Sequence, residues 1–365
     1  MWIEVAIAVV KTLFVIVLAL SLAGILGWVE RKGSALIQDR IGANRASIFG
    51  FAGAGLINTM MADPLKFITK EDIIPAGADR LLHTLAPCVN LLPILVAFAA
   101  IPFGDVLQIG DRLIPLQAVQ LNVGILYVLA MVSLSVYGVV LGGWASNNRF
   151  SMLGGIRGSA QMISYEIGMG LSIVAMVMTY GTLDLQEMVR AQGQLIGGVV
   201  PAWGILYQPV AFVIFLIAGI AESKRVPFDL PEGESELVSG YFTEYSGVKY
   251  LMFFMTDFVE IGVVAGLITT MFFGGWQLPY LLRDGFHFPW GTTLLLPQLM
   301  VAVLQIVTFM VKVFFFCWLQ VLVRWSLPRF RYDQVMTLGW KGLLPVSLVN
   351  VLLTGVVVLA RQGMA

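Results

Sequence analysis

Cysteine and histidine are nearly missing from this sequence. Cys88 and Cys317 lie far apart, which excludes a disulfide framework, a cysteine-based zinc site and the cysteine run that holds an iron–sulfur cluster. His83 and His287 are the only histidines, too few for paired haem ligands or a His-rich metal centre. Charge is scarce too: 12% of the 365 residues are Asp, Glu, Lys or Arg, about half of the roughly 25% usual in a soluble domain. An excess of one sign is absent, with 22 Lys and Arg against 22 Asp and Glu, so charge alone marks no nucleic-acid-binding surface. There is also no low-complexity linker and no fixed-period repeat, and residues 1–365 read as a single membrane domain. What is abundant is apolar length, with 58% hydrophobic residues and a mean hydropathy of +0.87.

A bilayer core of about 30 Å is crossed by about 20 helical residues at ~1.5 Å each. Eight runs have that length: 5–28, 82–103, 120–143, 159–181, 202–221, 250–274, 294–323 and 342–360. Lipid offers no partners to backbone N–H and C=O groups, so runs of this kind are helices. The expected fold is an all-α integral membrane bundle of about eight transmembrane helices. Segments 30–81, 144–157, 222–249 and 324–341 hold sixteen Lys and Arg. The opposite side holds Arg112, Arg190, Arg283 and Arg361, while Lys11 and Lys312 lie inside runs. That bias predicts large cytoplasmic loops for the rich segments and both termini on the outer, periplasmic side. The first run is not read as a cleavable signal peptide, because Glu4 precedes it and Glu30-Arg31-Lys32 follows it.

The rich segments are unusual for loops. Segment 30–81 mixes charges with Ile37, Ile41, Phe49, Leu56, Leu65 and Phe67, so it should lie along the membrane surface or against a partner. It fits an interfacial amphipathic helix with snorkelling lysines as well as a functional surface, and Gly42, Gly50, Gly53 and Gly55 allow tight turns there. Segment 222–249 carries six carboxylates, Glu222, Asp229, Glu232, Glu234, Glu236 and Glu244, against three basic residues. Pro227 and Pro231 break the fifth run and can restart a short helix, on which Glu232 and Glu236 would share a face and Glu234 would point elsewhere. Acids in a first helical turn complement the helix dipole, but six at one membrane surface exceed that role.

Carboxylates also lie inside the runs. Glu166 is about two turns into the fourth, and Asp257 and Glu260, three apart, share a face of the sixth. A central carboxylate costs about 2.5–3.5 kcal/mol on insertion scales, which makes it a functional candidate by default. The bland alternative is a structural ion pair with Lys312, Lys11 or Arg157. The two histidines read as interfacial residues, His83 at the cytoplasmic edge of the second run and His287 in an external loop. The dispersed Met residues read as packing.

Several strings in register carry a resemblance: ERK and QDRIGANR from residue 30, ADPLKFITKEDIIP, NNRFSMLGGIRGSAQMISYE, AESKRVPFDLPEGESELVSGYFTEYSG and LPRFRYDQVMTLGWK. Together they resemble the NuoH family, a membrane component of proton-pumping NADH:quinone oxidoreductase, respiratory complex I, from about residue 30 to 350. The resemblance implies the heel of the membrane arm, in the bacterial cytoplasmic (inner) membrane. There it walls a quinone chamber with peripheral-arm iron–sulfur and quinone-site subunits, and adjoins small membrane-arm subunits next to the antiporter-like ones. On this basis Glu30, Arg31, Gln38, Arg40, Asn44, Asp63 and Lys66 line the quinone passage or face the peripheral arm. Arg225, Phe228, Asp229, Arg331 and Asp333 form other walls. Glu222, Glu232, Glu234, Glu236 and Glu244 form an acidic funnel that Glu166 and Asp257 carry onward.

The resemblance further implies that quinone is the substrate, that this non-redox chain binds no cofactor alone, and that FMN and iron–sulfur clusters sit in partner subunits. Two departures stand out. Gly42-Ala43-Asn44-Arg45 replaces the usual Gly-Pro-Asn-Arg, freeing φ at one turn position. Ser133 stands where some relatives carry an acid, so water or another residue must bridge that step. Three other readings carry weight. The chain could be the homologous subunit of a membrane-bound hydrogenase or F420H2 dehydrogenase. A secondary ion transporter predicts broken helices in two related halves. A purely structural membrane anchor predicts acids that can be neutralised without effect.

Overall fold

Uninterrupted Leu, Val, Ile, Ala and Phe make helices here because the helix pairs its own backbone groups. The computed structural model describes residues 2–44, 55–109, 112–196 and 199–364; Arg45, Phe49, Gly50 and Gly53 lie outside the described residues. In chain order the helices are α1 (Trp2–Ile37), α2 (Asp63–Thr69, entered through a π-type turn Asn58–Ala62), α3 (Arg80–Phe98), α4 (Gly124–Ala145), α5 (Arg149–Tyr180), α6 (Leu185–Gln192), α7 (Gly204–Tyr207), α8 (Pro209–Glu222), α9 (Glu234–Leu237), α10 (Gly247–Phe272), α11 (Gln298–Ser326), α12 (Tyr332–Thr337) and α13 (Leu344–Met364). Short strands form three small antiparallel sheets in the connections. They are β1 (Val106–Ile109) with β2 (Arg112–Pro115), β3 (Leu195–Ile196) with β4 (Val200–Pro201), and β5 (Leu281–Leu282), β6 (Gly285–His287) and β7 (Thr293–Leu295) in that order.

Polar residues punctuate the helices. Asp79 caps α3 by accepting from the Leu81 and Leu82 N–H groups at 3.0 and 3.2 Å, and Asn148 caps α5 through the Phe150 N–H at 2.9 Å. Gly181, at φ 73°, ends α5 and donates to the Val177 carbonyl. Among the described residues, seven stretches are long and apolar enough to cross a membrane: Glu4–Ile37, α3, α4, α5, α10, α11 and Tyr332–Arg361. The fifth expected run departs from this pattern. Residues 202–221 are not one helix, because Pro209 follows Gln208 and holds it out of the helical region at φ −133°, ψ 60°. The 14-residue α8 that follows is about 21 Å long at ~1.5 Å per residue, short of a full crossing.

The core forms around α10, in which every residue from Thr256 to Phe272 is buried. A helix enclosed on all sides has no wet face on which to place charge, yet Asp257 and Glu260 lie on it. Helices α3 and α4 pack closely: a Cβ at Gly138 would come within 2.6 Å of the Asn90 nitrogen. His83 is fully buried and stacked on Tyr245 at 4.0 Å, not interfacial as its position at the start of α3 suggested.

The connections gather at two ends. At one, Lys11 donates to the Gln117 carbonyl, Gln208 bonds Thr179 and Thr354, and the buried Asp105 receives Arg190 at 2.7 Å and Arg283 at 3.1 Å. Two of the four basic residues on the sparsely charged side are therefore paired. At the other end Ser246 bonds the Glu71 carbonyl, Asn148 bonds Glu244, and the Phe330 N–H reaches the Pro227 carbonyl. The four charge-rich segments thus meet at one end of the bundle, together with the strings that carry the resemblance.

Candidate functional site

The connection from Ser223 to Ser246 folds back into the bundle because its sequence cannot extend α8. Pro227 and Pro231 interrupt it, and Gly233 takes a left-handed φ of 43°. Gln161 of α5, itself fully buried, pins it by donating to the Ala221 and Phe228 carbonyls at 2.6 and 2.7 Å. Phe228 packs between Tyr165 and Phe330, with ring centroids 5.3 and 5.5 Å away. Asp229 closes the fold-back by accepting from Arg329 at 2.6 Å.

Under this connection lies a cavity of about 150 Å³ lined by Glu30, Arg225, Glu232, Glu234, Asp257 and Arg324, with Ser239, Phe242, Tyr250 and Phe254. At about 30 Å³ per water that is room for a few waters held among charged groups. Glu30, near the end of α1, bridges two guanidiniums, Arg225 at 3.0 Å and Arg324 at 2.7 Å. Arg225 also lies over the Phe258 ring at 4.2 Å, a cation–π contact strengthened by burial. Four carboxylates therefore face two guanidiniums across a small polar cavity.

Asp257 carries the cluster deeper. Lys224, with no side-chain exposure, lies 3.2 Å from Asp257 and 3.1 Å from Glu260. Glu222 is fully buried, and among the described residues neither of its oxygens has a hydrogen-bond partner. Glu166, half-buried on α5, receives the Ser133 hydroxyl of α4. Ser133 of α4 and Glu166 of α5 are therefore in direct contact. Lys312, Lys11 and Arg157 are not the partners of the core acids: they bond the 273–277 carbonyls, the Gln117 carbonyl and Glu236 respectively.

Burial tunes the connection's own groups. It pushes the Asp229 carboxyl up to about 6, against the opposing pull of Arg329, Arg324 and Arg225. Glu232 is pushed up to about 8, first by burial and then by Asp229 and Asp257, with Arg225 and Arg324 opposing. At Lys224 burial disfavours the charge, yet Glu260 and Asp257 outweigh it and hold the ammonium above its ordinary value. For both acids the folded value exceeds the ordinary one. Their stabilising contribution is therefore full below about 4 and is lost as pH rises through about 6 and about 8. Amide-exchange protection across residues 230–242 should fall between about pH 4 and pH 8 and be flatter in Glu232→Gln; equal slopes in the two proteins would contradict this assignment.

The structure brings together Glu30, Arg225, Phe228, Asp229, Glu222, Glu232, Glu234 and Asp257, with Glu166 beyond them. It separates the rest. Arg31 pairs with Asp63 of α2 at 2.6 Å, Lys66 lies over Phe67, and Arg40 bonds Gln38 at 2.7 Å on an exposed turn that leads to the exposed Asn44. Arg331 and Asp333 form an exposed pair at 3.3 Å. Glu244 accepts from Asn148 at 2.6 Å. The expected shared face of Glu232 and Glu236 is corrected. Left-handed Gly233 separates Glu232 from the four-residue α9, so Glu232 and Glu234 line the cavity, while Glu236 turns out to Arg157 at 2.5 Å. Sequence reasoning places Glu260 beside Asp257 but passes over Lys224, Arg324, Arg329 and Gln161 as parts of the cluster. Lys224 reads as a basic loop residue, and the other three come from distant segments with no local signal.

These elements make a helical, multi-pass membrane protein in which a cluster of ionisable groups runs from one end into the core. The family pattern described as NADH dehydrogenase matches residues 10–355. One NADH-quinone oxidoreductase H subunit of Geobacter metallireducens is 46% identical over 358 residues, covering 98% of each chain. An H subunit of Geobacter sulfurreducens is 47% identical over 352 residues (96% of each), and one of Cytophaga hutchinsonii 45% over 332 (91% of each). The chain belongs to this NADH dehydrogenase family, on the branch of the NADH-quinone oxidoreductase H subunits.

Proposed function

We propose that this chain is the membrane-arm subunit of an NADH:quinone oxidoreductase that walls the quinone chamber and couples quinone reduction to proton translocation. The observation that carries the reading is the continuity of ionisable groups from the cavity at Glu30, Arg225, Glu232 and Glu234, through Asp257, to Lys224, Glu260 and Glu222. Such a cluster is costly in a lipid-enclosed core and serves no packing need. The charge-rich end faces the cytoplasm of a bacterium, both termini face outward, and the membrane is the cytoplasmic one.

A quinone has an apolar tail and a polar head, so its site needs lipid at one side and wet, charged walls at the other. The exposed apolar residues Ile37, Ile41, Leu65 and Ile68 supply the first, beside Arg31, Gln38, Arg40, Asn44, Asp63 and Lys66. That surface, together with Arg331 and Asp333, meets the peripheral-arm subunits, and the chamber is completed at their contact. Electrons come from an iron–sulfur cluster in a neighbouring subunit. Reduction places negative charge beside Glu30 and Glu232, where the low dielectric lets it act over distance. Protons then redistribute along Glu232, Glu234, Asp257, Glu222 and Glu166. Glu236 and Glu244, paired with Arg157 and Asn148, hold the rim of the funnel in place.

A photoreactive quinone analogue tests this directly. In the assembled complex it should label this chain between residues 30 and 70 or between 222 and 246, and excess quinone should compete it away. Labelling confined to other subunits would remove the chamber role.

A further inference from the structure

Lys224 and Glu260 have no role of their own in the proton route above. Three observations meet on Lys224. Its ammonium is wholly enclosed and is shared between Asp257 at 3.2 Å and Glu260 at 3.1 Å, which lie one turn apart on α10. Its backbone is left-handed at φ 53°, a conformation that side chains of this length rarely hold, so the chain is strained where it aims this residue inward. Two residues earlier, Glu222 is fully buried, with neither oxygen hydrogen-bonded among the described residues. A fixed counter-ion accounts for the first observation and leaves the other two unexplained.

The charged groups facing this point are Glu222 at the end of α8, Asp257 and Glu260 on α10, Glu166 on α5, and Arg225 and Glu232 on the connection. Arg225 is committed to Glu30 and the Phe258 ring. Lys224 alone combines a compact charge with a flexible four-carbon stem.

We propose that Lys224 is the moving cation of the acid chain, its ammonium passing from the Asp257–Glu260 pair to Glu222 as a proton advances. A proton arriving from Glu232 goes onto the Asp257 carboxylate and neutralises it. The ammonium keeps its three protons and turns to Glu222. The proton that leaves Glu222 goes to Glu166, which the Ser133 hydroxyl already contacts. One proton enters and one leaves, and the lysine carries the balancing charge between the two halves. This inference rests on the reading of the acids as a proton route.

NADH-driven proton transport into vesicles, read for Lys224→Gln, Lys224→Arg and the double variant Lys224→Gln with Glu260→Gln, tests it. Glu166→Gln serves as the reference for the route itself. Transport in Lys224→Gln should fall about tenfold or more with the quinone KM unchanged, and Lys224→Arg should recover to within about threefold of the parent. The double variant loses one positive and one negative charge together, so it should assemble yet stay as low as Lys224→Gln. Parent-like transport in the double variant would mean that Lys224 only offsets Glu260, and would overturn the proposal, as would full transport in Lys224→Gln. Full transport in Glu166→Gln would instead remove the underlying route.

Discussion

Replacing Arg225 with Met should lower quinone-linked turnover of the assembled complex by about tenfold or more, because it takes from the cavity the guanidinium that pairs with Glu30 and faces Glu232 and Asp257. Arg225 is 7% exposed, pairs with Glu30 at 3.0 Å and covers Phe258. Methionine fills the volume but leaves Glu232, Asp229 and Asp257 with less positive charge beside them and leaves Glu30 to Arg324 alone. Arg225→Lys keeps the charge, but loses the planar stacking on Phe258 and the fork that reaches Glu30, so its activity should fall between the two. Turnover is measured with NADH and a short-chain quinone, normalised to the amount of assembled complex. Activity of Arg225→Met within about threefold of the parent would contradict the role given to this guanidinium.

The second large effect is expected at a backbone position. Gly240 is buried at φ 59°, and a Cβ there would run into the Pro231 carbonyl. The left-handed conformation alone costs an L residue roughly 1–2 kcal/mol, and the clash cannot relax without moving Pro231 and the neighbouring Glu232. Gly240→Val should therefore displace the acidic connection from α5 and Tyr241 and abolish quinone-linked activity, with this chain retained in the membrane. Membrane content by immunoblot and turnover together check the outcome. A Gly240→Val complex with parent-like turnover would show that the geometry of this connection does not matter to function.

Much of the fold is legible because lipid leaves few options. Apolar length marks α1, α3, α4, α5, α10, α11 and the stretch ending in α13, and basic residues sort the connections between two ends. The fifth run misleads because hydropathy is blind to the Gln208–Pro209 break, which splits it into α7 and α8. The acids are legible as a group, since Glu166, Asp257 and Glu260 stand out in apolar sequence. Their partners are not: Lys224 reads as one more basic loop residue, and Arg324 and Arg329 come from about 100 residues downstream of the connection. The pairing of Glu232 with Glu236 fails for a local reason. Pro231 can restart a helix, but left-handed Gly233 delays that restart to Glu234. Loop burial is also hidden, because it depends on Gln161 satisfying two carbonyls from another helix.

On the proposed route, protons move along these acids when quinone is reduced at their outer end. Proton translocation per NADH oxidised, measured in vesicles carrying Asp257→Asn or Glu166→Gln complexes, addresses it most directly. Both substitutions keep side-chain size and hydrogen-bonding capacity while removing the titratable proton. Both variant complexes should assemble, and their quinone-linked proton transport should fall about tenfold or more. Undiminished transport in both variants would contradict it.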